Sequence, residues 1–99
     1  MITIGIARWT PETGHEMGKH FAKWEPLPDF IEVTGPYMYA DGNEGLKSIT
    51  IFKYAKERAG EASDAIANGF MLYYGVPGYR YSMHLASGPA AVMKMMGLE

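Results

Sequence analysis

The sequence predicts an α+β domain with the element order β-α-β-β-α-β: an antiparallel four-stranded sheet in the spatial order 4-1-3-2, with both helices on one face. Three observations predict it. Ile2, Ile4 and Ile6 alternate with Thr3, Gly5 and Ala7, the period of a strand. Two β-rich segments flank Asp41-Gly42-Asn43-Glu44-Gly45, a turn signature that marks a hairpin. Met17, Phe21 and Trp24, and later Ala62, Ile66, Phe70 and Tyr73, recur at spacings of three and four, the period of a helix. The 99 residues suit one domain spanning 1–99, with a short helical tail over about 87–99.

The first strand ends at Trp9. Thr10-Pro11-Glu12 reads as a helix start, with a capping hydroxyl, proline in the first turn and an acid near the positive helix end. Pro26 and Pro28 stop that helix. The second strand runs from about Phe30 to Tyr39, and Gly35-Pro36 inside it indicates a bulge or an edge position. Leu46 to Tyr54 forms the third strand, rich in β-branched residues. Glu57 to Tyr74 forms the second helix, closed by Gly75-Val76-Pro77-Gly78. Tyr79 to Ala86 is the fourth strand. After Ser87-Gly88-Pro89, the tail carries Val92, Met93, Met95 and Met96, apolar enough to dock on its own domain or on a partner subunit.

Composition narrows the function classes. Apolar residues make up 47% of the chain and charged residues 20%, an ordinary globular balance. Net charge is −2 with acids and bases interleaved, so no basic stripe for nucleic acid is present. The centre of the sheet also lacks the aromatic and basic pattern of an RNA-binding sheet. With no cysteine there is no disulfide, no thiolate metal site and no cysteine nucleophile. No apolar run approaches the roughly 20 residues that span a bilayer. The strand-like start, MITIGIARW, lacks a basic leader, and the expected location is the cytoplasm.

Placing the bulkiest residue of each alternating pair toward the helices assigns the two sheet faces. The helix-covered face then takes Ile2, Ile4, Ile6, Ile31, Val33, Ile49, Ile51, Tyr81, Met83 and Leu85. The open face takes Thr3, Gly5, Ala7, Trp9, Ser48, Thr50, Phe52, Arg80, Ser82 and His84. An open face this small, lightly polar and uncharged at its centre suits contact with a second sheet or the lining of a shallow cavity.

In strand order, in its Asp41-to-Gly45 hairpin and in this open face, the chain resembles the dimeric α+β barrel group of ferredoxin-like proteins. The resemblance covers about the first 86 residues. It implies a homodimer with two sheets face to face and a small ligand held in the barrel or between sheet and helices. Members of the group include cofactor-independent monooxygenases, isomerases and ligand-sensing modules, so fold alone does not choose an activity. The expectation is a small-ligand-binding or regulatory module, with a cofactor-independent monooxygenase- or isomerase-type enzyme as the alternative. No cofactor is expected. The expected partners are a second copy and a small aromatic or apolar ligand, not nucleic acid or a membrane.

The candidate ligand-binding residues all come from the presumed open face: His84, Ser82, Thr50, Ser48, Trp9 and Phe52. His84 stands out because histidine titrates near neutral pH and belongs there to a strand bordered by small side chains. The sequence identifies no catalytic set. The other eye-catching stretch, GHEMGKH at residues 14–20, does not build a metal site. His15 and His20 are five apart, which separates them by about 140° around a helix, whereas the His-Glu-x-x-His zinc motif needs a spacing of four, about 40°. No metal site is expected. Seven tyrosines in a chain of this length add a further expectation, a cluster of them around an aromatic ligand.

Overall fold

The computed structural model describes residues 1–42 and 45–98. Its elements follow the predicted order: β1 (Ile2–Trp9), α1 (Gly14–Phe21), β2 (Glu32–Asp41), β3 (Gly45–Lys53), α2 (Ala59–Met71), β4 (Arg80–Ala86) and α3 (Pro89–Met95). The four strands form one antiparallel sheet in the order β2-β3-β1-β4, with β1 and β3 central and β2 and β4 at the edges. α1 and α2 lie on one face of it: Met17 and Phe21 of α1, Phe70 of α2 and Tyr73 in the turn just past α2 line one cleft together with Ala7, Ser48 and Thr50 of the central strands.

Local chemistry sets the boundaries. Thr10-Pro11 opens a single tight turn, Pro11–Thr13, in which the Thr13 hydroxyl donates to the Thr10 carbonyl at 2.9 Å, and α1 proper begins at Gly14. Trp24 falls just past α1, in a turn closed by its amide donating to the Phe21 carbonyl at 3.0 Å. Gly35 and Pro36 interrupt the β2–β3 ladder between Thr34 and Tyr37, and edge strand β2 tolerates the break because its outer side has no ladder to keep. Asp41 and Gly45 pair at the hairpin end, while Asn43 and Glu44 of the expected turn lie outside the described residues.

The faces of the two central strands are the reverse of the sequence expectation. Directly paired residues of antiparallel strands project to the same side. Gly5 pairs with Thr50 and Met83, Ala7 with Ser48 and Tyr81, and Thr3 with Phe52. This set faces the helices, because a Cβ on Gly5 would stand 2.5 Å from Phe70 Cζ of α2. Thr3, Gly5, Ala7, Trp9, Ser48, Thr50 and Phe52 are therefore buried under the helices, and Ile2, Ile4, Ile6, Ile49 and Ile51 look outward. The reason is volume. α2 and the turn that follows it bring the bulk themselves, as Phe70 and Tyr73, and the strands beneath must be small where those rings descend. Ile31, Tyr81 and Met83 do pack on the helix side, and Arg80, Ser82 and His84 do face away.

The buried cluster centres on Phe52, which is fully buried, and Ile66 of α2, only 1% exposed. Phe70 meets Phe52 edge-on at 6.2 Å between ring centroids and stacks on Tyr81 at 5.1 Å with the planes 7° apart. Each such pair contributes about 0.5–1.5 kcal/mol beyond the area it buries. The five outward isoleucines are half-buried by one another and stand outside this cluster and its packed rim.

The tail departs from expectation in one respect. α3 forms, and Gly97 ends it with φ +73, letting the Leu98 amide reach the Met93 carbonyl at 3.0 Å. Yet no residue of α3 is buried, and Met95, Met96 and Leu98 are each more than 60% exposed. Seven residues are too few for a helix to be stable in isolation, and this one buries no residue on the domain that carries it.

Gly5→Ala is expected to lower stability by about 1–3 kcal/mol in urea denaturation, since the added methyl collides with Phe70 and Phe52. Gly18→Ala on α1, where an added Cβ meets nothing within 4 Å, should instead stabilise by about 0.5–1 kcal/mol. Equal effects would place Phe70 elsewhere than over Gly5.

Candidate functional site: a cleft between sheet and helices

Small residues beneath bulky ones leave space where the rings do not reach. Under α1 lies a cleft of about 220 Å³, floored by Ala7, Ser48 and Thr50 of the central strands. Gly14, Met17, Gly18 and Phe21, successive positions on one face of α1, roof it. Phe70, Tyr73 and Tyr79 close one side, and Trp9, Trp24, Pro36 and Met38 complete the rim. The two glycines matter because a larger side chain at either would occupy the space the cleft now offers.

Trp24 is the hinge-point of the aromatic wall. Its indole lies against Gly69 of α2, so that a Cβ there would be 3.1 Å from Cζ2, and it meets Phe70 at 6.5 Å and Tyr73 at 6.0 Å, both edge-on. Tyr73 continues to Tyr79 at 5.3 Å, and Tyr79 to Tyr81 at 6.1 Å. Three of the seven tyrosines thus form one ring cluster. Of the others, Tyr37, Tyr39 and Tyr74 are exposed, and Tyr54 shares a 2.6 Å hydrogen bond with Thr3.

Among the described residues, no charged side chain lines the cleft. The polar residues that line it are Ser48, Thr50, Tyr73 and Tyr79 and the two tryptophans, Trp9 and Trp24. Burial pushes the Tyr73 phenol up to about 12, and Tyr79 is raised too, by burial first and then by its neighbours Tyr73 and Tyr81. Both stay protonated at neutral pH and act as hydrogen-bond donors, not bases. The Tyr79 hydroxyl is shielded from solvent and has no hydrogen-bond partner among the described residues, an arrangement that costs roughly 1–3 kcal/mol.

The six candidate residues from the sequence separate into two places. Trp9, Ser48 and Thr50 line the cleft, and Phe52 lies further along the same strand face, where it lines an adjoining groove. His84 and Ser82 are on the opposite face of the sheet, paired with Ile4 and Ile6, and the exposed imidazole bonds the Ser82 hydroxyl at 2.9 Å through Nε2. The expected cavity uniting His84, Ser82 and Thr50 does not form, because Thr50 points to the helices and His84 away from them. Met17, Trp24 and Phe70 were missed by sequence reasoning, their signal present in the helical stripes but read as core, whereas Tyr73 and Tyr79 stood among the tyrosines expected around an aromatic ligand without being singled out. In GHEMGKH, His15 is exposed while His20 Nδ1 engages the Glu16 carbonyl at 2.9 Å and its ring lies 6.2 Å from Tyr73.

No helix is long and apolar enough to cross a membrane among the described residues. Compared with known proteins, the chain matches no family model, no curated protein and no solved structure.

The raised tyrosine makes stability depend on pH in a defined window. A phenol whose folded pKa exceeds its unfolded value of 10.0 holds its full contribution below pH 10.0 and loses it as pH rises through about 12. The urea midpoint of the wild type should therefore fall more steeply over that window than that of Tyr73→Phe. Parallel profiles would mean that the Tyr73 hydroxyl is solvated.

Proposed function

We propose that the chain is a ferredoxin-like subunit of the dimeric α+β barrel group, a homodimer that binds a small apolar ligand in the cleft between its sheet and helices. One observation carries both halves: β1 and β3 turn their small residues to the helices and their isoleucines outward. The inward choice opens the cleft. The outward choice leaves Ile4, Ile6, Ile49 and Ile51 as an apolar centre on a face that none of the helices α1 and α2 covers.

Size supports a second copy as the cover. The protomer measures 49 × 30 × 16 Å with a radius of gyration of 15.2 Å, against about 12.6 Å for a compact chain of this length. It exposes 6646 Å², against about 5600 Å² for a monomer of this mass. The excess of about 1000 Å² is the scale of one side of a standard protein interface, about 800 Å². Directly paired isoleucines on a flat face are self-complementary under a twofold axis, as a symmetric dimer requires.

The chemistry of the cleft favours binding over catalysis. Its hydroxyls donate hydrogen bonds and its rings stack, and the one histidine of the sheet lies on the other side.

Light scattering coupled to size exclusion should give a mass near twice 11.0 kDa at micromolar concentration. Ile49→Lys should raise the dissociation constant at least about 100-fold, because an unpaired ammonium would be desolvated between the sheets, while the monomer keeps its fold. A wild type that stays monomeric, or an Ile49→Lys protein that stays dimeric, would overturn the proposed interface. Native mass spectrometry of the same sample reads any retained ligand directly.

A further inference from the structure

We infer that the proposed dimer responds to pH: His84 lies within the face that the second copy covers, and its protonation separates the subunits. The inference rests on the isoleucine face being that dimer surface.

Position comes first. Ile4 pairs with Ile51 on one side and with His84 on the other, and Ile6 pairs with Ile49 and Ser82. The imidazole thus stands one strand, about 4.8 Å, from the isoleucines of β1. Four strands span roughly 15 Å, less than the width of an interface that buries about 800 Å² per side. A partner that buries the isoleucines therefore takes His84 out of water as well. In the protomer the ring is exposed, and its bond to the Ser82 hydroxyl is one that the uncharged form makes in either direction.

The surroundings offer no counter-charge. On the open side of the sheet His84 is flanked by Ile2, Ile4 and Ile6 of β1 and by Ser82 and Ala86 of its own strand. Among the described residues the carboxylates of this face belong to β2, on the far edge. Glu32 stands opposite Lys53, and Asp41 bonds Lys47 at 3.0 Å. The cations Arg8, Lys47, Lys53 and Arg80 share the face, so positive charge is in excess there. A second copy centred on the isoleucines sets the partner's Thr34 against His84 if the twofold runs along the strands. It sets the partner's Ser82 there if the axis runs across them. Both are neutral.

The sign follows from desolvation. A histidine in water charges near pH 6.5, and burial disfavours the charged form when no carboxylate meets it. The dimer then binds fewer protons than two separate subunits. Its affinity is full above the ordinary histidine range and falls as pH drops through it. Symmetry buries two imidazoles per dimer, so the effect of one enters the dissociation constant squared.

The test is a dilution series followed by light scattering at about pH 8 and about pH 5.5. The wild-type dissociation constant should rise about 30- to 100-fold at the lower pH, while circular dichroism shows folded subunits at both. His84→Gln should remove the response and stay dimeric at either pH. His84→Lys, charged at both, should dissociate readily at both. His15→Gln with His20→Gln, on α1 across the sheet, should keep the wild-type response. A dimer equally tight or tighter at the lower pH, or a response that survives His84→Gln, would overturn the switch and leave the dimer standing. A wild type that is monomeric at about pH 8 would overturn the dimer itself and the switch with it.

Discussion

The structure depends on the descent of Phe70 from α2 onto Gly5 of β1. Any larger residue at position 5 costs stability, because even a single methyl would come within 2.5 Å of the ring. Once Phe70 is seated there, Phe52 on the neighbouring strand meets it edge-on and Tyr81 stacks on it from the other side. The three rings join β3, β1 and β4 to one helix. Every other assignment of side chains in the central strands follows from that contact through the period of two, since a shift by one residue would exchange the faces wholesale.

Two surfaces result from this one constraint. Beneath α1, where no ring of α2 reaches, the small residues Ala7, Ser48 and Thr50 have nothing above them except the glycine-bearing face of the helix, and the space becomes the cleft. On the far side, the isoleucines that would have filled a conventional core are displaced outward as an apolar layer. A sheet with small residues under its helices and large ones on its open face invites two kinds of partner. The cleft suits a small molecule, and the open face suits a second sheet.

Order and spacing of the elements were legible in the sequence, because each alternation or helical stripe is a local signal. Ile2-Thr3-Ile4-Gly5-Ile6 announces a strand whichever way it faces, and Asp41 to Gly45 announces a hairpin whatever packs on it. The faces were not legible by the rule of bulk inward, since hydrophobicity alone favours isoleucine over glycine and serine for the interior. A finer clue was available. Trp9 shares its parity with Gly5 and Ala7, and Phe52 shares its parity with Ser48 and Thr50, so the largest aromatic residue of each central strand marked the small side as the core side. The misassignment moved the candidate site. His84 and Ser82 were placed correctly away from the helices, but Trp9, Ser48, Thr50 and Phe52 were carried to the wrong side with the parity of their strands.

The most direct test of this arrangement uses the absence of native cysteine. Ile6→Cys and Ala7→Cys place one thiol each on adjacent residues that point to opposite faces of β1, and maleimide labelling reports their access to solvent. At protein concentrations low enough to separate the subunits of the proposed dimer, the thiol at position 6 should react rapidly and the one at position 7 slowly. Raising the concentration should protect position 6 and leave position 7 unchanged. Rapid labelling at position 7 with protection at position 6 under dilute conditions would contradict the assignment of faces, and with it both the cleft and the dimer surface.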